Sequence, residues 1–94
     1  MDEIEKNAFS TVYPTAKSHK GTRYDLIYRV LTRKYHLLRN GCEIGRYWTT
    51  DSAIHAILRI ETGFQSDELS PKLIKSAERL ATQFGITYQG LGEE

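Results

Sequence analysis

The chain has 94 residues, 39% hydrophobic and 27% charged, with a net charge of +1, which fits one globular domain with a modest core and excludes a disordered chain. The first residues, Met1-Asp2-Glu3-Ile4-Glu5, are acidic where a secretory leader would be basic and then apolar. No apolar run nears the ~18 residues that span a bilayer, and Cys42 is the sole cysteine, so a cytoplasmic location without membrane span or internal disulfide is expected.

In chain order, residues 1–10 read as a frayed start, 1–8 above all, in which Ile4, Ala8 and Phe9 can form one short helical turn docked on the core. Residues 10–13 are β-prone and stop at Pro14, as suits an edge strand. Residues 15–22 form a polar loop holding Lys17, His19, Lys20 and Gly21. Residues 23–31 admit two readings. A helix would use Thr22 and Asp25 as a capping box and Leu26, Ile27, Val30 and Leu31 as its stripe; a strand alternates Tyr24, Leu26, Tyr28 and Val30 against Asp25, Ile27, Arg29 and Leu31. The β-branched and tyrosine content favours the strand.

The centre of the chain carries the strongest local signal. Asn40-Gly41 tolerates the positive φ values of a type I′ turn, so residues 34–39 and 42–48 pair as a tight hairpin. A two-residue loop sets a register of Arg39 with Cys42, Leu38 with Glu43, Leu37 with Ile44, His36 with Gly45, Tyr35 with Arg46 and Lys34 with Tyr47. One face then carries Tyr35, Leu37, Cys42, Ile44 and Trp48 as core. The other carries Lys34, His36, Leu38, Glu43 and Tyr47 and stays open.

Thr49-Thr50-Asp51 offers capping oxygens before a helix that runs to about Glu61 and ends at Gly63. Residues 64–69 read as a loop. Ser70-Pro71 opens a second helix, striped by Leu73, Ile74, Ala77, Leu80, Ala81 and Phe84 and closed by Gly85. Residues 86–88 can add a short strand, and residues 90–94 are a tail. The expected fold is therefore α+β: an antiparallel meander of three to four strands, packed on one face by two helices.

No catalytic constellation is expected. His19, His36 and His55 fall on a loop, a strand and a helix, and the hairpin register sets Cys42 and His36 on opposite faces. No His or Cys pair has metal-site spacing, and the glycines form no phosphate-binding loop. The adjacent carboxylates Asp67-Glu68 and Glu93-Glu94 read as solvated charge. No metal, no cofactor and no enzymatic activity are expected.

The charge distribution points elsewhere. Residues 17–46 hold eight basic against two acidic side chains, while both flanks are acidic. A basic block that coincides with a sheet suggests a polyanionic partner. The expected nucleic-acid contacts are Arg29, Lys34, His36, Arg39, Arg46 and Tyr47 on the sheet, with Lys17, Lys20, Arg23 and Arg33 meeting phosphates from the flanking loops. The strand–Asn-Gly–strand–helix outline, with Gly45-Arg46-Tyr47-Trp48-Thr49 before an alanine-rich helix, resembles in outline the sheet-plus-helix DNA-binding domains of some plant transcription factors and phage integrases. That likeness spans about a quarter of the chain and has no place for the second helix. The alternative partner is a protein. Six tyrosines and one tryptophan beside arginines have the composition of interface hot spots. An inhibitor or adaptor, encoded by a phage or mobile element, or a homodimer subunit, would use such a surface.

Overall fold

The computed structural model describes residues 10–63 and 70–90; the expected N-terminal fraying, the 64–69 loop and the last four residues of the tail lie outside them. Five strands form one antiparallel sheet: β1 Ser10–Val12, β2 Ala16–Lys17, β3 Arg23–Arg29, β4 Lys34–Arg39 and β5 Cys42–Tyr47. The order is β1-β3-β4-β5, and β2 pairs the same edge of β3 as β1 does. β1 and β2 are in effect one edge strand interrupted at Pro14, which has no N–H to donate. Tyr13 N–H still reaches Leu26 O at 3.0 Å, and pairing resumes as Ala16 with Tyr24. The expected 15–22 loop is thus shorter at its start.

Residues 23–29 are a strand, as their β-branched and aromatic content favours. The four-residue turn that follows closes with Arg33 N–H donating to Arg29 O at 2.8 Å and holds Arg33 at φ 58°. Asn40 and Gly41 take φ 52° and 89°, the left-handed values their turn requires. The Asn40 side chain also accepts the Arg23 N–H at 3.2 Å, and Asn40 N–H donates back to Arg23 O at 2.8 Å, so the hairpin tip is tied to β3.

Among the described residues, two helices cover one face. α1, Thr50–Thr62, is capped by Thr49 Oγ1 accepting from Ser52 N–H and ends on left-handed Gly63. α2, Pro71–Phe84, is capped by Ser70 and ends on left-handed Gly85. The core joins Ala16, Tyr24, Leu26 and Leu37 of the sheet to Ala53, Ile54, Ile57 and Leu58 of α1 and Ala77, Leu80, Ala81 and Phe84 of α2. Ile74, in the first turn of the α2 stripe, stays partly exposed.

Residues 86–90 do not add a strand. They run along α1, where Asp51 accepts the N–H groups of Gln89 (3.1 Å) and Gly90 (2.8 Å), and His55 Nε2 lies 2.7 Å from the Tyr88 hydroxyl. A burial penalty on the charged ring, with the Arg59 charge adding to it against Asp51, holds the His55 pKa below its ordinary value.

The hairpin register holds only to Leu38–Glu43. Beyond it a bulge shifts the pairing by one: Leu37 faces Gly45, His36 faces Arg46 and Tyr35 faces Tyr47. Gly45 lies at this irregularity. A Cβ there would sit 2.8 Å from Cζ of Tyr47, so only glycine lets that ring fold back over the strand. Three expectations change with the bulge. Ile44 is expelled from the core and is 39% exposed, Tyr47 turns to the helix side, and Trp48 is exposed rather than buried. Ile44→Ala should therefore cost less than about 1 kcal/mol in urea unfolding, not the ~2–4 kcal/mol of a core aliphatic truncation.

Candidate nucleic-acid interface on the open sheet face

Cross-strand partners share a face, so the register sorts the basic residues. On the face without helices stand Arg23, Arg29, Lys34, His36 and Arg46, with Asp25, Ile27, Leu38 and Glu43. Arg29 lies directly across from Lys34. The Lys34 ammonium sits 4.7 Å from the ring centroid of Trp48, whose indole is 69% exposed. A cation over the face of an indole is attracted by the ring quadrupole, and the other face of the ring stays free to stack. Arg33 stands in the adjoining turn with Val30 and Leu31, both exposed.

The remaining cations of this face are engaged. Arg23 Nε bonds Asp25 Oδ2 at 3.1 Å, while Asp25 Oδ1 accepts the Thr15 hydroxyl at 2.6 Å. Arg46 Nε bonds Glu43 Oε2 at 2.7 Å, and the other oxygen of that carboxylate lies 3.0 Å from His36 Nδ1. Arg46 first, then His36, hold the Glu43 carboxyl below its usual range. His36 is 2% exposed, although it belongs to the open face, and its Nε2 lies 2.7 Å from Thr32 Oγ1. The Glu43 carboxylate accepts from Nδ1, and Thr32 Oγ1, which also reaches Arg29 O at 3.3 Å, faces Nε2. This is the order of groups in a nucleophile–base relay. With the ring enclosed, these contacts join the 30–33 turn to Glu43 of β5, which also holds Arg46.

The other expected contacts lie elsewhere. Arg39 pairs with Tyr24 and Cys42 and so belongs to the helix side, as does Tyr47. Lys17 and Lys20 line a cleft of about 110 Å³ between the 17–20 segment and the C-terminal halves of the two helices. The Gln83 side chain fixes that segment, accepting from Lys17 N–H at 2.9 Å and donating to Lys17 O at 3.0 Å. The ten expected contact residues thus do not form one surface: Arg29, Arg33 and Lys34 come together with Trp48, and the rest are tied, buried or on other sides. Trp48 was the residue that strand alternation missed; Gly45 inside a strand was the signal for the bulge that exposes it.

Most tyrosines are not available as surface anchors. Tyr13, Tyr35, Tyr47 and Tyr88 pack on the core, and the Tyr28 and Tyr35 rings meet at a 53° tilt with centroids 4.8 Å apart. Cys42 is exposed at the hairpin tip, on the face opposite His36. Among the described residues no group of three or more His, Cys, Asp or Glu side chains is placed to hold a metal ion, and no helix is long and apolar enough to cross a membrane. No protein-family model matches the chain, and neither a curated protein nor a solved structure shows significant similarity to it.

Proposed function

We propose that this chain is a non-enzymatic nucleic-acid-binding module that takes a single strand on the open face of its sheet. The observation that carries this reading is the exposed Trp48 indole with the Lys34 ammonium against it, flanked by Arg29 and Arg33. An unpaired base stacks on an indole whatever its identity, and neighbouring cations meet the phosphates on either side. A near-neutral net charge keeps the affinity modest and makes it depend on this corner rather than on the whole surface. A small accessory or regulatory protein of the cytoplasm, encoded by a microbe or its mobile elements, fits that mode of binding.

The test is fluorescence anisotropy with labelled single-stranded and duplex DNA over a salt series. Three phosphate contacts to a single strand give a slope of log K against log salt of about −2. Trp48→Ala should weaken single-strand binding by about 1–3 kcal/mol, and Arg29→Ala with Lys34→Ala should flatten the salt dependence. No binding at low salt would reject the proposal. A second reading then takes over, supported by Val12, Val30, Leu31 and Ile44, all exposed apolar residues on β1, the 30–33 turn and β5. With Trp48 and the arginines they have the composition of a protein interface, for a partner protein or a second copy of the chain.

A further inference from the structure

We infer that the cleft beside the 17–20 segment is a binding site for a small organic anion, separate from the sheet face and independent of the reading above. Its floor is apolar: Leu58 of α1 and Leu80 of α2 line it and are 2% and 6% exposed. Its other lining includes Lys17, Lys20 and Arg79, all solvent-exposed, so the charge stands at the mouth and the apolar surface below. Arg79 is held toward the 17–20 segment by a hydrogen bond from its guanidinium to His19 Nε2. Among the described residues, the one carboxylate in the lining, Glu61, already accepts the Tyr24 hydroxyl at 2.7 Å. Counted over the described residues, three cations stand against one carboxylate and outweigh the C-terminus of α1, whose dipole contributes about half a negative charge.

Volume and layering define the ligand. About 110 Å³ is less than the ~150 Å³ that accommodates benzene, so the floor takes a body of about four heavy atoms. An anionic head at the mouth would meet Lys20 and Arg79, and a short aliphatic tail would displace water from Leu58 and Leu80. A short-chain carboxylate has that form. A bare inorganic anion does not use the floor, and a neutral amide of the same shape does not use the mouth.

The experiment is a titration of the isotopically labelled protein with butyrate, butyramide and inorganic phosphate, followed by NMR. Butyrate should shift the Leu58 and Leu80 methyl signals saturably, and butyramide should bind at least about tenfold more weakly. The double variant K20A/R79A should lose butyrate binding by about tenfold or more while its melting temperature stays that of the parent, since both side chains are exposed. Trp48→Ala should leave butyrate binding unchanged, which separates this site from the sheet face. The inference is overturned if the methyl signals do not saturate, if butyramide binds as well as butyrate, or if phosphate binds as tightly as butyrate. It is equally overturned if the double variant binds like the parent.

Discussion

Phe84→Ala should remove about 3–5 kcal/mol of folding stability. Phe84 closes the last turn of α2 and is fully buried in the cluster that joins both helices to Ala16, Tyr24, Leu26 and Leu37. Truncation forfeits the transfer energy of the ring and leaves a cavity that three elements would have to collapse to fill. A domain of this size has only about 5–10 kcal/mol in hand, so the variant should be close to half unfolded in mild urea. Leu80→Ala, one turn earlier and 6% exposed, should cost about 2–4 kcal/mol, less than Phe84 because fewer atoms leave. Urea unfolding followed by far-ultraviolet circular dichroism measures both. A loss below about 1.5 kcal/mol for Phe84→Ala would mean that α2 is not seated on the sheet as described.

What could be read from the sequence was local. Asn40-Gly41, the Thr49 cap, Gly63, Ser70-Pro71 and Gly85 each act within a few residues of themselves, and each stands where its chemistry placed it. The meander and the two covering helices follow from those boundaries together with the periodicity between them. Strand pairing beyond the hairpin tip was not local. At the bulge the Tyr47 ring lies over Gly45, a contact that alternation of apolar and polar residues cannot encode. One inserted residue then moved Ile44 and Trp48 outward and Tyr47 inward, which is the ordinary consequence of a period of two.

The candidate site was legible to the same degree. Arg29 and Lys34 share the open face because β3 and β4 pair without interruption in a register that sets the two residues opposite each other. Lys17 and Lys20 went to a different surface because of Gln83, 66 residues from Lys17, which hydrogen-bonds the Lys17 backbone at both its N–H and its carbonyl. Charge clustering in sequence became two clusters in space: Arg29, Arg33 and Lys34 at one corner of the sheet, Lys17 and Lys20 at the cleft against the helices.

Tyr24 makes alkaline unfolding diagnostic of how the sheet meets α1. Its side chain is fully buried and its hydroxyl donates to Glu61 Oε2 at 2.7 Å. Burial above all, then the hydrogen bond to Glu61 and the charge of that carboxylate, push its pKa up to about 12 against the opposing pull of Arg39. The unfolded chain releases this proton near pH 10, while the folded chain keeps it to about pH 12. The folded state therefore binds more protons across that window, so this contribution to stability is complete below about pH 10 and is lost as pH rises toward 12. The expected loss is roughly 1–3 kcal/mol. Tyr24→Phe keeps the ring and removes the proton. It should be less stable than the parent by about 1 kcal/mol near neutrality, because Glu61 loses a donor, and its stability should fall less steeply above about pH 10. Tyr35 and Tyr88, whose pKa values are also raised by burial, remain in both proteins, so they cancel in the difference. Urea unfolding of both proteins from about pH 9 to about pH 11 should bring the two stability curves together; curves that stay parallel would mean that the Tyr24 hydroxyl is not held against Glu61, and that α1 meets the sheet in some other way.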